Sequence, residues 1–251
     1  MTDLAPYTVT FVGAGPGAAE HLTLGAHRAL QQAEVVIHDR LVGPDILALI
    51  PTQTRLIDVG KQGFGLSTAQ SAISDMLVTE ARKGLRVVRL KGGDCGIFGR
   101  LDEEIEALQA CNVAYHILPG LTAATVAAAF IGQSLTRRGR NAALSIVTGH
   151  DVDGFAEQDW RALARPDAVT AIYMGRTSAR FVQGRLMMHG ADPATPVTLV
   201  ENVSRPDQRV LAATLATLPD AAAQLAGPAV ILYGLHPRHS IALPERHEAT
   251  A

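Results

Sequence analysis

The sequence predicts an α/β protein of two domains, each a sheet packed against helices. The chain has 251 residues, more than the ~150 typical of one domain. As far as Leu118, β-branched runs alternate with segments of helical apolar spacing, the succession that builds a mostly parallel sheet. Beyond Pro119-Gly120 the pattern changes and a turn-rich, hairpin-like pair of strands enters. The predicted domains are residues 1–119 and 120–243, with a polar tail at 244–251.

The elements follow in order. Thr8 to Val12 reads as a strand ending in glycines, and Leu22, Ala26, Ala29, Leu30 and Ala33 share one helical face. Val35 to His38 is a continuous apolar strand of the buried parallel kind, so the chain opens as a βαβ unit. Leu56 to Val59 is the next strand. Ser67-Thr68-Ala69-Gln70 has the form of a capping box, and Ile73, Met76, Leu77 and Ala81 extend it as a helix to Lys83-Gly84. Arg86 to Leu90 is a strand and Asp102 to Ala110 a helix, with Ile105 and Leu108 facing inward. Ala114 to Leu118 is a strand, and the alanine-rich run from Leu121 to Ile131 a buried helix. Pro196 to Asn202 and Gln208 to Thr214 flank a turn and predict an antiparallel pair; Val230 to Tyr233 is a last core strand, and the tail from His236 is loose.

Composition narrows the function. A formal net charge of −2 provides no bulk positive field for nucleic acid or a membrane surface. The two cysteines, Cys95 and Cys111, have neither disulfide-scaffold density nor CxxC spacing, which fits a reducing, cytoplasmic setting. The first residues lack the basic-then-apolar form of a secretory signal, and no run of 18 apolar residues occurs. Among nine histidines only His236 and His239 sit three apart, in a proline-containing tail without acidic neighbours, so no metal is predicted.

Gly13-Ala14-Gly15-Pro16-Gly17 follows a strand and precedes a helix, with Asp39 closing the next strand, a spacing that suggests a dinucleotide site. Pro16 has no N–H to offer a pyrophosphate and fixes φ where the chain must bend, which damages that match. Lys91-Gly92-Gly93-Asp94 is a second glycine turn at the carboxyl end of a strand; Asp94 either orients a ligand or caps the turn. In Leu118-Pro119-Gly120-Leu121-Thr122-Ala123-Ala124, Thr122 is equally placed for capping or for ligand contact. Asp39 and Lys61 both follow strands and sit at the ligand edge of the sheet, where a surface ion pair is the plain alternative to chemistry. Cys95 has no partner at a telling spacing and reads as a small turn residue, not a nucleophile.

Taken together, GAGPG, HDRLV, GK, RLKGGD with FGR, LPGLTAA, TGH, YMG, ENVSRPDQR and GPAVILYG resemble the tetrapyrrole methyltransferases from about Val9 to Gly234, most of all the branch of that family acting on uroporphyrinogen III. The resemblance implies two α/β domains, not a Rossmann fold, with S-adenosyl-L-methionine in a cleft between them, and a homodimer. It implies transfer of two methyl groups to uroporphyrinogen III, giving precorrin-2 for siroheme or cobalamin biosynthesis and releasing S-adenosyl-L-homocysteine. The implied cofactor positions are Pro16, Gly92, Gly93, Asp94, Ile97, Thr122, Ala123, Met174, Val203 and Ala229. Asp39 is the implied proton acceptor and Lys61 the proton donor, while Arg40, Arg100 and the Arg137-Arg138-Gly139-Arg140 cluster are candidates for the substrate carboxylates.

Four departures from the family pattern bear on substrate choice. Cys95-Gly96 replaces Pro-Phe, Leu101-Asp102 replaces two glycines, Leu66 replaces a histidine, and Val203 stands where a smaller residue is usual. Rival readings are a methyltransferase of a later precorrin, an NAD-linked oxidoreductase suggested by the opening βαβ unit, and a non-catalytic tetrapyrrole carrier suggested by the altered loop.

Overall fold

The computed structural model describes residues 7–60, 69–151 and 154–238. The chain forms two units, residues 1–126 with 202–207, and residues 127–201 with 208–251.

In the first unit β1 (Thr8–Gly13), β2 (Val35–His38), β3 (Arg55–Asp58), β4 (Val87–Lys91) and β5 (Ala114–Leu118) form one sheet in the order β3-β2-β4-β1-β5, every pair parallel. Its helices are α1 (Leu24–Gln32), the short α2 (Pro44–Leu47), α3 (Gln70–Arg82) and α4 (Leu101–Ala110), with α5 (Ala123–Phe130) running across the division. The three inner strands β1, β2 and β4 are buried on both faces because alternate residues serve different helices, while the edge strands β3 and β5 are largely exposed. Val9, Phe11, Val35, Ile37 and Val87 pack with Ile73 and Leu77 of α3 and Leu108 of α4. Val12, Val36, Val88 and Leu90 pack with Ala26, Ala29 and Leu30 of α1.

β1, α1 and β2 form the expected opening βαβ unit, with β4 lying between its two parallel strands. Two expectations need correction here. The first helix begins at Leu24, not Leu22, because the Thr23 hydroxyl accepts from the Ala26 N–H at 3.1 Å and caps it. Helix α3 has Ala69 at its N-cap, and the Gln70 amide donates to Glu104 Oε1 at 3.0 Å. Ser67 and Thr68, the rest of the expected capping box, lie outside the described residues.

In the second unit β6 (Ser145–Thr148), β9 (Thr170–Tyr173), β10 (Pro196–Glu201), β11 (Arg209–Thr214) and β12 (Ala229–Tyr233) form a mixed sheet in the order β11-β10-β12-β9-β6. A small antiparallel pair, β7 (His150–Asp151) and β8 (Gly154–Phe155), follows β6. The expected antiparallel pair is β10 with β11, in register from Pro196↔Thr214 to Glu201↔Arg209. Helices α6 (Trp160–Leu163), α7 (Ala179–Met188) and α8 (Leu218–Ala223) close over a core that includes Leu186, Leu199, Leu215, Leu218, Ile231 and Tyr233. Buried Glu201 accepts from the Ala226 N–H at 2.6 Å and from the Gly227 N–H, tying the end of β10 to the turn before β12. Burial works to raise its carboxyl, but these two N–H donors and Arg209 hold it below the ordinary 4.5. No helix among the described residues is long and apolar enough to cross a membrane.

Candidate active site

Three glycine turns meet at the carboxyl edge of the first sheet. They follow β1, β4 and β5, which are neighbours, and in an all-parallel sheet this edge is where ligands collect. Gly15 and Gly93 exchange backbone hydrogen bonds at 3.0 and 2.8 Å. Asp94 joins the second and third turns: its Oδ1 accepts from the Gly96 N–H at 2.8 Å and its Oδ2 from the Gly120 N–H at 2.9 Å. The carboxylate is thus a clamp between turns, with a further lone pair on each oxygen. A Cβ built on Gly13 would lie 2.5 Å from Gly120 N and 2.9 Å from Gly93 O, and one on Gly92 2.7 Å from Leu41 Cβ. Gly93 differs, with φ +72° and open space where a Cβ would point.

Three backbone donors in and beside the first turn are already engaged. Ala14 N–H donates to Lys91 O at 2.8 Å, Gly15 N–H to Gly93 O, and Ala18 N–H to Ser204 Oγ at 2.9 Å. Helix α1 begins only at Leu24. With the Ala14 and Gly15 N–H groups spent on the neighbouring turn, no N–H at Pro16 and no α-helix N-terminus adjoining, the arrangement is not a Rossmann site.

Of the expected cofactor positions, Pro16, Gly92, Gly93, Asp94 and Ile97 lie on the first two turns, and Thr122 and Ala123 at the start of α5. Val203 belongs to the 202–207 segment of the same unit, where its carbonyl would meet a Cβ on Gly17 at 2.7 Å. That segment is anchored by Ser204 on Ala18 and by Arg205 donating to Leu41 O at 2.7 Å. Met174 and Ala229 lie in the second unit. Met174 follows β9 with φ +52° and is half-exposed; Ala229 opens β12, the antiparallel neighbour of β9. The TGH and YMG segments meet there, the Gly149 N–H donating to Tyr173 O at 2.7 Å.

Asp39 stands directly after β2, and Lys61 lies outside the described residues. Beneath Asp39 is a charged network that the sequence reading missed. Arg89 and Lys91 project from the same face of β4 and Glu104 comes from α4; their side chains are only 1–4% exposed, against 30% for Asp39. Arg89 Nη2 donates to Asp39 Oδ1 at 2.8 Å, Arg89 Nε reaches both Glu104 oxygens at 3.2–3.3 Å, and Lys91 Nζ donates to Glu104 Oε1 at 2.9 Å. Burial works against all three charges. It wins for Lys91, whose ammonium is held below its usual range with repulsion from Arg89 adding to the effect. At Glu104 burial is overcome by Arg89 and Lys91, which hold the carboxyl low, and at Arg89 by Asp39 and Glu104, which hold the guanidinium charged. The readable signal was Val-Val-Arg-Leu-Lys: two cations on one face of a buried central strand require a carboxylate partner.

Arg40 is exposed, and Gly60 packs against its side-chain stem. Arg100, also exposed, precedes α4 with φ +54° and pairs with Glu103 at 2.6 Å. In the second unit Arg140 is braced by Asn141 Oδ1 and the Ser134 carbonyl. Of the four departures from the family pattern, Leu101 and Asp102 form the first turn of α4, where Asp102 suits the positive end of the helix, Cys95 is fully buried, Val203 is buried in the 202–207 segment, and Leu66 lies outside the described residues. Burial pushes the Cys95 thiol up to about 12. Native protein at pH 8 should therefore take a thiol reagent at half-buried Cys111 before Cys95, as peptide mapping of time points checks; early labelling of Cys95 would contradict its burial. Among the described residues no group of three or more His, Cys, Asp or Glu could hold a metal, and His239 lies outside them.

An all-parallel sheet with β4 between β1 and β2, a mixed second sheet and three interlocked glycine turns define a class that sequence comparison names. Residues 8–219 match the family of tetrapyrrole (corrin/porphyrin) methylases, and the chain belongs to that family. Among solved structures it is similar to a uroporphyrin-III C-methyl transferase of Thermus thermophilus in complex with S-adenosyl homocysteine: TM-score 0.78, 36% identity, covering 90% of this chain and 97% of that one. It is also similar to a cobalt precorrin-4 methyltransferase of cobalamin biosynthesis, TM-score 0.81 and 25% identity, covering 91% and 95%. Among curated proteins it is 43% identical over 226 residues to siroheme synthase 3 of Aeromonas hydrophila and 44% identical over 228 to a siroheme synthase of Nitrosospira multiformis. Each match covers 90% of this chain but 48% of the relative, so the chain spans about half the length of these curated relatives.

Proposed function

We propose that the chain is a uroporphyrinogen-III C-methyltransferase, adding two methyl groups from S-adenosyl-L-methionine to uroporphyrinogen III to give precorrin-2. The observation that carries this is the likeness to the Thermus thermophilus enzyme along nearly the whole length of both chains. The first unit supports this reading: open space at Gly93, with Pro16, Ile97 and Thr122 half-buried on or just after the three glycine turns, suits a small ligand held mainly by backbone and apolar contact. In this reading Pro16, Gly92, Gly93, Asp94, Ile97, Thr122, Ala123 and Val203 hold the cofactor, and Met174 and Ala229 are the further residues the reading assigns to it. When bound, it supplies an activated methyl on a good leaving group.

Little covalent help is then needed from the protein, whose work is positioning and proton transfer. Asp39 takes a proton from the pyrrole system, which makes the attacked carbon more nucleophilic or restores conjugation afterwards; Lys61 returns one. Arg40 and Arg100 receive substrate carboxylates, Arg100 by exchanging Glu103 for the ligand. A homodimer in the cytoplasm completes the reading.

A second reading is a methyltransferase of a later precorrin, favoured by the likeness to the cobalt precorrin-4 enzyme and by Cys95-Gly96 and Leu101-Asp102 after the second glycine turn. Anaerobic incubation with uroporphyrinogen III and methyl-labelled S-adenosyl-L-methionine distinguishes the two. The expected result is two labels per tetrapyrrole. Label entering only a later precorrin supports the second reading, and binding without transfer to any tetrapyrrole would sink both.

A further inference from the structure

Arg89 is held on every edge. Its Nη1 donates to Ile37 O and Leu90 O at 3.4 and 3.3 Å, its Nε lies against both oxygens of Glu104, and its Nη2 is shared between Glu104 Oε1 at 3.2 Å and Asp39 Oδ1 at 2.8 Å. Glu104 is in turn fixed from three sides, by Arg89, by Lys91 Nζ on β4 and by the Gln70 amide on α3. Asp39 is therefore a partly exposed, charged end of a chain of charge-assisted hydrogen bonds that runs through the interior. If Glu104 loses its charge, the Nε edge of Arg89 loses its carboxylate and the ammonium of Lys91 is left beside a guanidinium with no anion between them.

From this we propose that Glu104 is a positioning residue for methyl transfer: acting through Arg89, it fixes the carboxylate of Asp39 for proton transfer. The proposal rests on the reading of Asp39 as proton acceptor. The alternative is that Glu104 only neutralises the strand–helix contact, in which case its loss weakens the fold without acting through Asp39.

A double-mutant cycle separates the two, because residues that act as one unit show non-additive losses in turnover. Glu104→Gln keeps the shape and removes the charge. The expected result is a kcat lower by about 10- to 100-fold, with KM for uroporphyrinogen III and Kd for S-adenosyl-L-homocysteine within about threefold of the parent. Placed on Asp39→Asn, the same change should lower kcat by less than about twofold further. Glu104→Asp, which retains the charge, should recover part of the loss, and it takes the place of Glu104→Gln in the cycle should the latter not fold. Losses that multiply, a Glu104→Gln enzyme with parental kcat, or failure of both variants to fold would each overturn the proposal. If Asp39→Asn alone leaves kcat unchanged, the assignment of Asp39 is what has failed, and this inference falls with it.

Discussion

Asp39→Asn lowers methyl-transfer turnover by about 10²- to 10⁴-fold, the range expected when a positioned acid or base is removed, and leaves S-adenosyl-L-homocysteine affinity within about threefold. The fold should survive because Arg89 keeps Glu104 and two backbone carbonyls as partners. Loss of the Asp39 carboxylate then removes one charge-assisted hydrogen bond, of order 1.5–3 kcal/mol, from a group that is already 30% exposed. Single-turnover kinetics with labelled donor, beside calorimetric titration with S-adenosyl-L-homocysteine, measure the two quantities separately. Parental turnover in the variant would remove Asp39 from the mechanism.

Gly13→Ala should be among the most damaging one-carbon changes in the first unit. The added methyl would lie 2.5 Å from Gly120 N, 2.6 Å from Gly120 Cα and 2.9 Å from Gly93 O. All three are backbone atoms, and Gly120 is itself pinned by Asp94, so no flexible side chain can give way. Overpacking of this kind costs about 1–3 kcal/mol and at times more, and the three turns must separate to relieve it. Lower melting temperature and at least tenfold weaker S-adenosyl-L-homocysteine binding are expected together. Gly184→Ala in α7 is the control, since a Cβ there meets open space and an alanine in a helix is worth roughly 0.5–1 kcal/mol over glycine. Unchanged melting and binding in Gly13→Ala would mean that the turns do not form a rigid ledge.

Sequence reading carried the first unit a long way for a local reason. Several of its strands are rich in β-branched residues and its turns are marked by glycine, and both signals lie within a few residues of what they specify. Strand order was not legible, because nothing near Val87–Lys91 says that this strand inserts between the first two. The buried network was hidden by the same limit: Arg89 and Lys91 alternate with Val88 and Leu90 as on a solvent-facing strand, and only Glu104, from α4, makes that face interior. The second unit was legible at β10, β11 and β12, whose runs are five or six residues long. β6 and β9 were not read as strands, although β2 and β3 of the same length were. For the site, the glycine turns and Asp39 could be picked out singly; their convergence depends on Gly15–Gly93 and Asp94–Gly120 contacts that span tens of residues.

The return of residues 202–207 to the first unit has a consequence for synthesis on the ribosome. Until that segment emerges, Ala18 lacks the hydroxyl that accepts its N–H, and the Leu41 carbonyl lacks its guanidinium. The wait covers residues 127–207, about 80 residues, which at about 5–20 residues per second occupies roughly 4–16 s of translation. During that time the nascent first half is an unfinished surface, with its glycine ledge uncovered on the side of Gly17. A gene split after Val126 would make this interval permanent, so co-expressed halves should recover function only where the second carries residues 202–207.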